Sequence, residues 1–211
     1  MSKLGEIDER LRRADWLMRP ETQRMLALLD GAEGRTRVVG GIVRDTLLDL
    51  PRDQSDIDMA TELRPEEVTL RAQRARLSVY PTGIEHGTVT LKLDSLTAEV
   101  TTLREDVETD GRHAVVRFGT DWTRDARRRD FTLNALYAGM DGTLFDPLHG
   151  VEDCLARKVR FIGKAAERIA EDRLRVYRFF RFSASHAGEQ FDPDGLAACA
   201  AEIGRASCRE R

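Results

Sequence analysis

The chain has 211 residues, 41% of them hydrophobic, enough to bury a core in one large domain or in one domain plus part of another. No stretch approaches the roughly 18–20 uninterrupted apolar residues of a membrane span, and Met1-Ser2-Lys3-Leu4-Gly5 leads into charged residues instead of an apolar signal core. A soluble, cytoplasmic protein with no membrane partner is expected. The net charge of −3 would argue against nucleic acid if it were evenly spread, but Arg124, Arg127, Arg128 and Arg129 cluster, and Arg173, Arg175, Arg178 and Arg181 form a second basic group. Such runs are commonly solvated faces, so charge alone leaves phosphate binding open.

In chain order, the first 30 residues read as helical packing elements, with Pro20-Glu21 opening a segment whose Met25, Leu26, Leu28 and Leu29 fall at helical spacing before Gly31 and Gly34. Arg37-Val38-Val39 predicts a short strand, Gly40-Gly41 a turn, residues 42–50 a helix ended by Pro51, and residues 57–60 the next strand. Pro65 opens a helix expected to reach Leu77. Residues 86–93 and 98–103 alternate and are rich in β-branched side chains, the pattern of paired strands. Residues 104–122, charged and glycine-bearing, read as a mobile loop with one short strand at 114–118. Helix is expected again over 125–137, then a turn at Asp141-Gly142, an extended piece at 159–162, and one long helix from 165 to about 185. Cys154, Cys199 and Cys208 form no CxxC pair, so neither a disulfide framework nor a zinc site is indicated.

Asp56-Ile57-Asp58 carries the chemistry. On a strand, residues i and i+2 point to one face with Cα atoms ~6.5–7 Å apart, so both carboxylates can serve one metal cluster. Two divalent ions about 3.5–4 Å apart clamp the attacking and leaving oxygens of a nucleotidyl transfer, and magnesium suits oxygen ligands shared with substrate phosphates. The pattern alone is weak: Asp192-Pro193-Asp194 repeats it where proline opposes a central strand, and there a turn or cap is expected. Asp56 and Asp58 differ in what precedes them. Gly40-Gly41 lies between a strand and a helix, where missing side chains let phosphates reach backbone N–H groups, and Arg44 sits one turn further on.

Val39-Gly40-Gly41-Ile42-Val43-Arg44-Asp45 followed by Asp56-Ile57-Asp58 resembles the first motif of the class II tRNA nucleotidyltransferase and bacterial poly(A) polymerase family. Four more motifs follow in order: Glu99-Val100-Thr101-Thr102-Leu103-Arg104; Arg128-Arg129-Asp130-Phe131-Thr132-Leu133-Asn134-Ala135-Leu136; Asp146-Pro147-Leu148-His149-Gly150-Val151-Glu152-Asp153, with His149 where glycine is more usual; and Glu171-Asp172-Arg173-Leu174-Arg175 with Arg178, Arg181 and Phe182. The resemblance implies an α+β fold: a polymerase-β-like nucleotidyltransferase head, a small mixed sheet flanked by helices, followed by the start of an all-helical neck. The corresponding divisions are N-terminal helices over 1–30, the head over 31–146 and the neck over 147–202.

It also implies roles. Asp56 and Asp58 would be metal ligands for Mg2+ and Glu99 the third carboxylate, although Glu99 can equally pair with Lys92 on the sheet surface. Arg129 and Asp130 would hold the ribose and phosphates of the incoming nucleotide, where an isolated Arg-Asp pair is by default a salt bridge or cap. Asp172 and Arg175, expected three apart on one helix face, would meet the base edge in place of a template, with Arg178 and Arg181 as further nucleotide or phosphate contacts. The implied partners are CTP, ATP and the tRNA 3′ end, and the implied function is CCA addition. A poly(A) polymerase, a CC- or A-adding relative, and a nucleotide- or RNA-binding fragment without turnover remain as alternatives. The charged 105–122 segment corresponds to a flexible loop beside the family's active site. Residues 203–211 resemble a translated sequencing adapter, which places the expected end of native sequence near Glu202. The sequence is silent on oligomeric state.

Overall fold

A computed structural model describes residues 3–50, 55–81, 83–110, 113–188 and 190–209. Pro51, the Gly111-Arg112 pair and the terminal Met1-Ser2 and Glu210-Arg211 lie outside the described residues. Three short helices, α1 (Lys3–Arg12), α2 (Asp15–Met18) and α3 (Pro20–Leu28), precede strand β1 (Thr36–Val39). Helix α4 (Gly41–Leu47), strand β2 (Asp56–Thr61), helix α5 (Pro65–Arg74) and strands β3 (Ser78–Tyr80), β4 (Thr88–Leu93) and β5 (Leu96–Thr102) follow. With β8 (Tyr137–Ala138) and β9 (Leu144–Phe145), these strands form a seven-stranded sheet in the order β3-β4-β5-β2-β1-β8-β9. The expected mixed sheet flanked by helices is therefore present. Among the described residues β2 and β5 are its only parallel neighbours, joined by the crossover through α5.

Alternation fixes which face holds what. Ile57 and Met59 of β2 and Ala98 and Val100 of β5 point into the main core, with Val38, Val43, Leu47, Val68 and Leu91. Asp56 and Asp58 point the other way, toward a smaller cluster of Val39, Ala60, Trp122 and Tyr137. The chain thus fills one sheet face and leaves the β2 end of the other open.

Several expectations need correction. Residues 104–118 are not a loop with one strand but a hairpin, β6 (Arg104–Asp110) paired with β7 (His113–Phe118), from Arg104↔Phe118 to Asp110↔His113. Phe118 seats over Gly87, whose φ of +79° and lack of a Cβ make room for the ring. Helix α5 stops at Arg74, three residues short of Leu77, and Arg76 turns the chain at φ +62° into β3. The helix expected over 125–137 is only α6 (Trp122–Arg128), started by the Asp121 carboxylate accepting the Thr123 and Arg124 N–H groups. A 3-10 turn (Thr132–Asn134) and β8 take the remainder, because Tyr137 is drawn into the sheet.

The C-terminal third is helical: α7 (Gly150–Leu155), α8 (Ala165–Glu171), α9 (Leu174–His186) and α10 (Pro193–Arg209). The single long helix expected over 165–185 is broken. Asp172 is extended (φ −150°, ψ 107°), and its carboxylate accepts the Leu174 N–H at 2.9 Å, starting a new helix. His149 adopts φ +57°, a conformation glycine enters without steric cost, which explains why glycine suits that position. Asp192 of the second DxD caps α10 through the Gly195 N–H and pairs with Lys158, the structural role expected of it. No helix among the described residues is long and apolar enough to cross a membrane.

Candidate active site

Gly40, with φ +80°, turns the chain from β1 into α4 and donates its N–H to the Leu136 carbonyl at 3.0 Å. A cleft of about 840 Å³ opens beside this turn. Its lining brings Asp58 and the Gly40–Gly41 turn together with Arg44, Arg129, Asp130, Asp172, Arg175, Arg178 and Arg181. Residues scattered over more than 140 positions thus meet in one hollow. Of those singled out in the sequence, Asp56 and Glu99 alone do not line it.

Both are nevertheless tied to Asp58 by the sheet. Asp56 is two residues before it on β2, and Glu99 is its register partner on β5 through the parallel Asp58↔Glu99 pairing. All three are exposed. Among the described residues no three His, Cys, Asp or Glu side chains are gathered into a ready metal cage. Asp56 and Asp58, on alternate positions of β2, offer the carboxylate oxygens that magnesium takes, an ion commonly held by one or two carboxylates and completed by substrate phosphates.

Across the cleft the charges are compensated. Arg129 sends Nε to the Tyr137 hydroxyl at 3.2 Å and Nη2 to Asp125 Oδ2 at 3.2 Å. Tyr137 donates to the same Asp125 oxygen at 3.0 Å, and Arg128 holds the other at 2.8 Å. Burial would push the Asp125 carboxyl up, but Arg129 and Arg128 outweigh it and hold the carboxyl below its usual range; burial raises the Tyr137 phenol well above its own. The Arg129 pair is therefore a buried network and not the surface salt bridge an isolated Arg-Asp sequence predicts. Asp130 receives Arg178 Nε at 2.7 Å, and Arg175 Nη1 bonds Glu171 at 2.7 Å and the Arg168 carbonyl at 2.7 Å. Asp172 and Arg175 do not share a helix face, because Asp172 lies in the break before α9, yet both reach the cleft. Arg44 is 4% exposed and bonds Asp45 and Asn134.

The cleft also contains Asn134, Leu174, Phe182 and Ser185. Asn134 and Phe182 stand inside motifs quoted above, whereas nothing in the sequence marks Ser185. Burial raises the Cys154 thiol to about 12 and the Cys199 thiol to about 11, which leaves both inert.

Known proteins resemble this arrangement. The chain is 48% identical over 165 residues to the mitochondrial CCA tRNA nucleotidyltransferase 1 of Danio rerio, covering 77% of this chain and 38% of that protein. It superposes on the crystal structure of Bacillus stearothermophilus CCA-adding enzyme in complex with CTP with a TM-score of 0.72 at 34% identity, over 86% of this chain and 43% of the other. A tRNA nucleotidyltransferase complexed with a primer tRNA and an incoming ATP analog gives a TM-score of 0.67 at 25% identity, over 87% and 52%. The chain thus spans well under two thirds of each of these proteins. The family model described as the Poly A polymerase head domain matches residues 36–160, more than half of the sequence, and the chain belongs to that family.

Proposed function

We propose that this chain is the catalytic part of an enzyme that adds CMP and AMP to the 3′ end of tRNA by two-metal nucleotidyl transfer. The observation that carries this reading is the shared cleft: Asp58 faces the same hollow as the Gly40–Gly41 turn, Arg129–Asp130 and Asp172–Arg175. The similarity to enzymes crystallised with CTP and with primer tRNA supports it. Asp56 and Asp58, on alternate positions of β2, would hold Mg2+, with Glu99 beside them on β5. When bound there, the ion would lower the pKa of the RNA 3′-hydroxyl and stabilise charge on the transferred phosphate and departing pyrophosphate. Gly40 and Gly41 leave room for the triphosphate. Arg129, braced by Tyr137 and Asp125, and Asp130, braced by Arg178, contact the ribose and phosphates. Asp172 offers an acceptor and Arg175 a planar donor to the base edge, so protein takes the place of a template.

The test is incubation of the full-length gene product with tRNA lacking its 3′ end and each labelled nucleotide. CMP incorporation followed by a single AMP is expected. A run of AMP from ATP alone makes the chain part of a poly(A) polymerase, and bound CTP without incorporation favours a binding fragment. Incorporation that survives Asp56→Ala together with Asp58→Ala refutes the two-metal assignment.

A further inference from the structure

Helix α9 follows a break in the chain, so α8 does not dictate its direction, and something else must hold it against the head. Two of its side chains do so. Arg178 Nε reaches Asp130 Oδ2 at 2.7 Å, and eight residues later His186 Nε2 meets Asp45 Oδ1 at 3.1 Å. These anchors are the ends of one continuous path. Asp45 Oδ1 also accepts Arg44 Nε at 2.8 Å, Arg44 Nη1 donates to Asn134 Oδ1 at 2.6 Å, and Asn134 Nδ2 donates to Asp130 Oδ1 at 3.1 Å. With α9 itself, the five bonds close a ring. Phe182 fills its middle: the Arg44 and Arg178 guanidinium carbons lie 5.2 and 5.3 Å from its ring centroid, and the His186 ring lies 5.8 Å away.

The ring is balanced. Two arginines face two carboxylates, and Arg44, Asp45, Asp130, Asn134 and His186 are all buried. His186 Nε2 lies 3.1 Å from Asp45 Oδ1 and its Nδ1 lies 2.6 Å from the Ser185 hydroxyl oxygen, so both ring nitrogens have a partner. Such fully satisfied networks rigidify what they join.

We infer that His186 is a positioning residue for the nucleotide: through Asp45 it closes this ring and fixes α9, which carries Arg175, at a set distance from the Gly40–Gly41 turn. The inference rests on the cleft being a nucleotide site. It goes beyond that reading by assigning a role to a residue that does not line the cleft.

His186→Leu removes the donor to Asp45, whereas His186→Gln places an amide N–H where Nε2 stood. The readouts are equilibrium binding of CTP to the 211-residue chain, which needs no turnover, and KM and kcat for CTP and ATP in the full-length gene product. His186→Leu is expected to weaken CTP binding about tenfold and to raise KM with kcat little changed, and His186→Gln to recover most of the loss. Ser185→Ala, at an exposed position, is expected to give a smaller loss of about threefold while the chain stays folded. A lower Tm with unchanged CTP affinity, or a glutamine variant no better than leucine, overturns the inference. Wild-type protein that binds CTP but transfers nothing sinks the proposed reaction and leaves the ring judged by the binding arm.

Discussion

Asp56, Asp58 and Glu99 stand exposed on an open sheet face, whereas most arginines on the other side of the cleft are buried or half-buried against carboxylates of their own. The difference separates two ways of using charge. The acidic edge leaves its charges accessible to an incoming cation. Across from it, Arg129–Asp125–Tyr137 and the ring through Arg44, Asn134 and Asp130 spend their charges on each other and present shape and hydrogen bonds in fixed positions. Mutation should therefore cost activity without stability on the first side, and both together on the second.

The largest expected effect lies at the acidic edge. Asp56→Ala combined with Asp58→Ala should lower incorporation by on the order of 10³-fold or more, while Tm moves by no more than about 2 °C, because both carboxylates are exposed. Unfolding of the double variant would put these residues in the same structural class as the opposite wall. Asp125→Ala is the matching cut on that wall. It strands Arg128, Arg129 and the Tyr137 hydroxyl without their shared acceptor, for a loss of about 3 kcal/mol measured by denaturant unfolding. Because the folded pKa of Asp125 is depressed, its contribution is fully present above the unfolded carboxylate value of about 3.9 and is lost as pH falls through the lower folded value. The gap between wild type and Asp125→Ala should thus be constant from pH 7 to about 5 and narrow below about 4; a gap that widens in acid would contradict the assignment.

Glu99→Gln sharpens the first half of the comparison. In register with Asp58 but outside the cleft lining, Glu99 should behave as support for the metal site, with incorporation falling about 10- to 100-fold and the Mg2+ concentration needed for half-activity rising. An unchanged magnesium requirement would return Glu99 to the sheet surface as a partner for a basic residue such as Lys92.

The acidic edge was the more legible region because its logic is local. Alternation of Asp56, Ile57 and Asp58 is written in three consecutive residues, and the Gly40–Gly41 turn in two. The opposite wall depends on contacts that no local pattern carries: His186 and Asp45 are 141 positions apart, and Arg44 and Asn134 are 90 apart. The break at Asp172 was hidden because Glu171-Asp172-Arg173 suits a helix by composition, and only the capped Leu174 N–H reveals that the aspartate has left it. Strand β6 was missed for a related reason, whereas β7 answers the short strand expected at 114–118. A charged hairpin outside the main sheet lacks the apolar alternation that betrays a half-buried strand.

Arg181 is the exception on its wall and gives the smallest structural effect with a readable functional one. Arg44, Arg129, Arg175 and Arg178 each meet a carboxylate, but Arg181 is exposed, makes no ion pair among the described residues, and lies with its guanidinium carbon 5.2 Å from the Phe182 ring centroid. Its charge is thus the one on that wall not already spent on a carboxylate. An exposed cation at the rim of the cleft would, under the proposed function, attract the nucleotide without shaping the fold. Arg181→Ala should raise KM for CTP and ATP about tenfold at low salt, less at high salt as screening replaces it, with Tm within about 2 °C of wild type. Arg181→Lys keeps the charge but loses the planar fork and its stacking, and should fall between the two. A KM that ignores both substitutions and salt would mean the surplus charge faces solvent alone, and that the compensated wall binds its nucleotide through fixed hydrogen bonds only.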